Sequence, residues 1–147
     1  MPVRKSFGNC FVLLSFNGII FDLDGTFVDT APDLCGTMNI LLSEEGRPQQ
    51  PFSRLRPHTS GGVRGLLGEG FGIDPADPEY ARLAARFLEI YAGRLCELST
   101  LFDGIPALLD TLESRGIAWG IVTNKAGHLT HKVLAGLPRL SPAGALI

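Results

Sequence analysis

The sequence predicts an α/β fold, a parallel sheet covered by helices, and three observations carry that reading. Two short runs, Gly18-Ile19-Ile20-Phe21 and Ile117-Ala118-Trp119-Gly120-Ile121-Val122, carry no charged residue and read as strands buried on both faces. Each run ends abruptly in a polar cluster, residues 22–26 and 123–125. In such sheets, ligands bind beyond the carboxyl ends of the strands. Between the two runs lies a helical block, residues 30–100, too long for a simple crossover and better read as an inserted helical domain.

Residues 1–16 read as an N-terminal arm. Arg4 and Lys5 precede an apolar stretch over residues 10–16, which imitates a signal peptide faintly but lacks a small-residue cleavage site. After the first strand, Asp29-Thr30-Ala31-Pro32-Asp33 is a helix start: Thr30 can cap, Pro32 fits the first turn and Asp33 suits the positive helix end. That helix is expected to run through Leu41 and Leu42 to Gly46, before Pro48 and Pro51. A helical patch follows at 53–56, a break at 57–62 and a helix at 63–67. Gly68-Glu69-Gly70-Phe71-Gly72 reads as a loop.

Asp77-Pro78-Glu79 opens the strongest helical pattern. Tyr80, Leu83, Ala84, Phe87, Tyr91 and Leu95 recur at three- and four-residue steps, while Arg82, Arg86 and Glu89 point elsewhere. Another helix places Ile105, Leu108, Leu109 and Leu112 on one face and stops at Gly116. A last helix starts near Ala126, after the second strand, and fades at 136–138.

Composition narrows the function. The chain is 45% hydrophobic and 19% charged, enough to build a core and too apolar for global disorder. A net charge of −2 with no dense Lys/Arg block argues against nucleic acid as a partner. Mean hydropathy is +0.20, yet no apolar run reaches membrane-spanning length, so no membrane partner is expected. Cys10, Cys35 and Cys96 form neither a disulfide framework nor a zinc spacing and suit a reducing, cytoplasmic setting.

The two polar clusters carry the candidate chemistry. A carboxylate at a strand end is a hard oxygen ligand for Mg²⁺ and a possible nucleophile toward phosphorus. Asp22 and Asp24 can reach one site if the chain leaves strand geometry between them. Gly25 lets the backbone approach an anion closely, while Thr123 and Asn124 offer a hydroxyl and an amide to phosphate oxygens. The same residues also read as ordinary turn and loop composition: Asp-Gly after a strand, Thr-Asn before a helix. His128 and His131 share a helix face, but no third ligand accompanies them.

Taken in order and separated by a helical insertion, Asp22-Leu23-Asp24-Gly25-Thr26 and Ile121-Val122-Thr123 resemble the first two motifs of the haloacid dehalogenase superfamily of phosphatases. Asp29-Thr30-Ala31-Pro32-Asp33, Phe102-Asp103-Gly104 and Val122-Thr123-Asn124-Lys125 look like its phosphoglycolate phosphatase-like group. The resemblance covers about 17–137. It implies a Rossmann-like core with an incomplete parallel sheet, over 17–29 and 101–147, and a helical cap over 30–100.

It also implies roles. Asp22 would attack the phosphoryl group to form an aspartyl-phosphate, and Asp24 would protonate the leaving group and then activate water. Mg²⁺ would be held by the Asp22 carboxylate and the Asp24 backbone carbonyl, and phosphate by Gly25, Thr26, Thr123 and Asn124. Ser60-Gly61-Gly62 resembles the cap loop lowered over the site, and Arg64 could pair with a substrate carboxylate.

The family's phosphate-neutralising lysine lies further downstream. Lys125, directly after the second motif, is not that residue. Its fourth motif, an acidic pair, also finds no match, because no Asp or Glu follows Lys132. The expectation is therefore a Mg²⁺-dependent phosphomonoester hydrolase lineage acting on a small phosphorylated acid, in a chain truncated after the second motif. Phosphoglycolate and N-acetylmuramic acid 6-phosphate are the two candidate substrates. The reading from another class is a catalytically incomplete remnant with a binding or dimerising role.

Overall fold

The computed structural model describes residues 3–7, 10–14, 18–137 and 145–146, with side-chain environments over 18–137. Strands β1 (Val3–Phe7) and β2 (Cys10–Leu14) form an antiparallel hairpin in the segment expected to be an arm. Strand β3 (Gly18–Asp22) pairs in parallel with β6 (Ala118–Val122), whose other edge takes β7 (Ala145–Leu146), so the sheet runs β3-β6-β7.

Strands β3 and β6 fall where the apolar runs predicted them, but they are not buried on both faces. Ile19, Phe21, Trp119 and Ile121 belong to an apolar cluster with helices α5 (Ile105–Ser114) and α6 (Gly127–Ala135). The alternate residues Ile20 and Val122 remain 61% and 42% exposed. Side chains alternate along a strand, so helices packed on one face cover only one parity of residues. Phe27, wholly buried, stacks on Trp119 at 5.8 Å between ring centroids and anchors the loop after β3 to the sheet.

The block between the strands is helical as expected: α1 (Ala31–Glu44), α2 (Phe52–Leu55), a 3₁₀ turn (Arg56–Gly61), α3 (Gly62–Phe71) and α4 (Tyr80–Gly93). Its apolar cluster is built from Leu34, Met38, Leu41 and Leu42 of α1, Leu55, Leu66 and Leu67, and Leu83, Phe87 and Tyr91 of α4. Full burial of each large side chain contributes about 1.5–3 kcal/mol. Arg82 and Arg86, on the outer side of α4, reach Glu45, the C-cap of α1, and Glu44, its last residue, at 2.7 Å each.

Three local expectations are corrected. Gly68-Glu69-Gly70-Phe71 is not a loop but the end of α3, which closes on Gly72 in the left-handed conformation at φ 72°. Its glycines permit close packing: a Cβ on Gly65 would lie 2.4 Å from the His58 carbonyl oxygen, and one on Gly70 2.1 Å from Met38 Cε. Helix packing overrides glycine's weak intrinsic propensity here.

Thr30 occupies the N-cap position of α1 without capping, because its hydroxyl donates to Asp24 Oδ1 at 2.7 Å instead. Leu108, expected on the buried face of α5, is 38% exposed, whereas Ile105, Leu109 and Leu112 are buried.

The periodicity did not anticipate a two-residue pairing of β4 (Val28–Asp29) with β5 (Thr100–Leu101). It joins the segments by which the chain enters and leaves the helical block. Asp33, 1% exposed, reinforces the junction by accepting from Leu98 N–H at 2.9 Å and from Ser99 N–H at 3.0 Å. Asp33 lies in the first turn of α1, as expected, and its carboxylate also serves this junction.

Candidate active site

The parallel register pairs Asp22 with Val122. Both strands therefore end at the same level, and Asp22-Leu23-Asp24 and Thr123-Asn124-Lys125 leave the sheet side by side. The first loop is closed by Val28 N–H donating to Leu23 O and Gly25 N–H donating to Val28 O, both at 2.9 Å. These bonds flank Asp24 and leave its carbonyl outside the pair. Gly25, at φ 81°, makes the reversal in a conformation that side-chain-bearing residues rarely adopt.

The second loop is fixed by Thr123 Oγ1 accepting from Lys125 N–H at 3.1 Å. Buried Thr130 of α6 donates toward the carbonyls of Lys125 and Ala126 at 3.2 Å.

These loops form the floor of a cleft of about 750 Å³. Asp22, Asp24, Thr123, Asn124 and Lys125 line it from the sheet side, with His128 and Leu129 of α6 beside them. The helical block supplies Ser60, Gly61, Gly62 and Val63 on one side and Phe87, Leu88 and Tyr91 on the other. Of the residues picked out in the sequence, Asp22, Asp24, Thr123, Asn124, Ser60, Gly61 and Gly62 thus meet on one cavity.

Gly25 and Thr26 are exposed on the loop and do not line the cleft. Arg64 lines a neighbouring hollow with His58, Glu69 and Asp74. Val63 faces the cleft, and the helical step of one residue turns the next side chain away.

Sequence reasoning passed over Lys125 and Tyr91 as site residues. Lys125 Nζ lies 3.2 Å from Asp24 Oδ1 and 2.9 Å from Tyr91 Oη, with its side chain 10% exposed. It also stands 4.6 Å from the centre of the Tyr91 ring. Burial pushes the Tyr91 phenol well above its usual range, and Asp24 and Asp33 add to the shift, so it stays protonated. No sequence spacing reveals this contact, which joins residues 34 apart in the chain.

A divalent cation at this strand end would meet hard oxygen donors, the Asp22 carboxylate and the Asp24 carbonyl. No group of three His, Cys, Asp or Glu that could hold a metal occurs among the described residues. Such a donor pair fits a hard cation that keeps several waters and takes further oxygens from substrate phosphate, as Mg²⁺ commonly does. Among the described residues, no helix is long and apolar enough to cross a membrane.

A parallel sheet whose carboxyl-end loops carry paired aspartates beneath a helical block defines the class. The family model for haloacid dehalogenase-like hydrolases matches residues 19–139, and the chain belongs to that family. Over 120 residues it is 42% identical to phosphoglycolate phosphatase of Xanthomonas campestris pv. campestris (strain 8004), covering 81% of this chain and 53% of that protein. It is 35% identical over 124 residues to N-acetylmuramic acid 6-phosphate phosphatase of Pseudomonas aeruginosa, covering 84% of this chain and 55% of that protein.

The fold is similar to the crystal structure of a predicted phosphoglycolate phosphatase from Haemophilus somnus 129PT. The TM-score is 0.73 at 24% identity, over 89% of this chain and 61% of that one. The chain spans about half the length of the curated relatives it matches.

Proposed function

We propose that this chain carries the phosphoryl-transfer site of a phosphomonoester hydrolase of the phosphoglycolate phosphatase type, with residues 30–100 acting as its cap. The observation that carries the reading is that Asp22, Asp24, Thr123 and Asn124, from two loops about 100 residues apart in the sequence, line one cleft. Asp22, exposed at the strand end, attacks phosphorus in line, forming an aspartyl-phosphate as the bond from phosphorus to the substrate alkoxide breaks. Asp24, held by Thr30 and Lys125, gives a proton to the leaving alkoxide and takes one from the water that hydrolyses the aspartyl-phosphate. Thr123 and Asn124 donate hydrogen bonds to phosphate oxygens, so that positioning and charge neutralisation lower the barrier.

Mg²⁺, bound by the Asp22 carboxylate and the Asp24 carbonyl, would supply neutralisation of phosphate charge. The free cysteines Cys35 and Cys96 suit the cytoplasm as the place of action.

The substrate is a small phosphorylated acid. Phosphoglycolate is the first reading, supported by the Xanthomonas relative. N-acetylmuramic acid 6-phosphate is favoured by the cleft, whose 750 Å³ and apolar wall of Val63, Phe87 and Leu88 leave room for a sugar acid.

The test is phosphate release by the purified chain from p-nitrophenyl phosphate and from both acids, with and without Mg²⁺. Asp22→Asn should lower turnover by at least about a thousandfold, as loss of a nucleophile does, while leaving the folded circular dichroism spectrum unchanged. Turnover retained in Asp22→Asn overturns the mechanism. An inactive wild-type chain favours the non-enzymatic reading.

A further inference from the structure

The contact between Lys125, Asp24 and Tyr91 is a polar bridge between the floor of the cleft and helix α4. Asp24 Oδ1 receives two groups, the Thr30 hydroxyl at 2.7 Å and the Lys125 ammonium at 3.2 Å. Lys125 in turn donates to the Tyr91 hydroxyl at 2.9 Å and lies 4.6 Å from the centre of its ring. Its backbone is fixed at both ends of the residue, through Thr123 Oγ1 and Thr130 Oγ1. Tyr91 itself is 2% exposed and packs on Phe87 within the cluster of the helical block. A lysine chain has many rotamers. Here one is selected by a carboxylate, a hydroxyl and an aromatic face together.

We propose that Lys125 is a positioning residue: its ammonium group holds the Asp24 carboxylate in place and, through the hydroxyl and ring of Tyr91, ties that placement to helix α4. The inference rests on the phosphatase reading only for the role of Asp24 in proton transfer; the linkage is a property of the folded chain. Its consequence is that a displacement of α4 relative to the sheet moves the proposed acid–base group as well as the cleft wall. Thr30 holds the same oxygen from the start of α1, so Asp24 is held directly by Thr30 and Lys125 and, through Lys125, is tied to Tyr91 on α4.

The test is nuclear magnetic resonance of the full chain, with ¹³C at aspartate carboxyls and along lysine side chains, without metal or substrate. Failure of the phosphatase reading leaves these signals untouched, so the two ideas fail separately. The sequence has eight aspartates and three lysines, and Asp24→Asn and Lys125→Met assign the two signals. The Lys125 methylene protons next to the ammonium should resonate upfield of those of Lys5 and Lys132, because of the Tyr91 ring.

The Asp24 carboxyl signal should shift in Lys125→Met. It should shift in the same sense, but less, in Tyr91→Phe, where the ring remains and the hydroxyl is gone. An Asp24 signal unmoved by Lys125→Met overturns the positioning role. One moved by Lys125→Met but not by Tyr91→Phe overturns the tie to α4. If Lys125→Met does not fold, Lys125→Gln, which also removes the charge, and Tyr91→Phe make the same comparison.

Discussion

Replacing Asp33 by alanine removes the carboxylate that closes the junction between the helical block and the sheet. Three donors converge on it: Leu98 N–H, Ser99 N–H and the Ser99 hydroxyl. Leu98 is 59% exposed, so its amide can turn to water, whereas Ser99 is 7% exposed and loses its acceptor. Each hydrogen bond to a charged acceptor contributes about 1.5–3 kcal/mol, so the two Ser99 bonds together amount to about 3–6 kcal/mol.

With a urea m-value of about 2 kcal/mol per molar, the unfolding midpoint should fall by about 2 M at unchanged m. Asp33→Asn keeps one carbonyl oxygen and should fall roughly midway, since its amide turns a donor toward other donors. Urea titration followed by circular dichroism measures both. A midpoint that moves by less than about 0.3 M in Asp33→Ala would refute the reasoning, because water would then have replaced the carboxylate at no cost.

Two further predictions concern packing and pH. Gly65→Ala should destabilise more than Gly70→Ala. The first new Cβ meets the His58 backbone, which cannot move alone, and the second meets the flexible end of Met38. Overpacking typically costs about 1–3 kcal/mol, and thermal melts that rank the pair in reverse would refute this.

Hydrogen bonds from Arg86 and Arg82 hold the Glu44 and Glu45 carboxyls below the usual glutamate range. Their folded pKa values are depressed, so their contribution is full above the ordinary glutamate value and is lost as pH falls through the folded one. Glu44→Gln/Glu45→Gln should therefore flatten the acid limb of stability against pH, and high salt should flatten the wild type similarly. An unchanged acid limb in the double variant would remove these pairs from the account.

The parts of the fold legible in the sequence are those governed by local pattern. The alternation of apolar runs with a three- and four-residue repeat gave β3, β6 and α4 close to their observed limits. Asp22, Asp24, Thr123 and Asn124 were legible because both clusters directly follow strand-like runs. The loop reading of 68–72 failed because glycine at a helix crossing and glycine in a turn look alike in one dimension. Arg64 was assigned by proximity in sequence to Gly62, and one helical step placed it on the adjoining hollow.

What the sequence determined by itself was the order of strands and helices and the residue types at the two strand ends, since each depends on neighbours a few positions away. Tertiary structure decided which groups meet. The pairing of Asp22 with Val122 aligned the two clusters, and the packing of α4 brought Tyr91 to Lys125 and so to Asp24. Those contacts join residues from 34 to more than 90 positions apart, and no periodicity extends that far. They form only when burial of separate apolar faces brings the elements together.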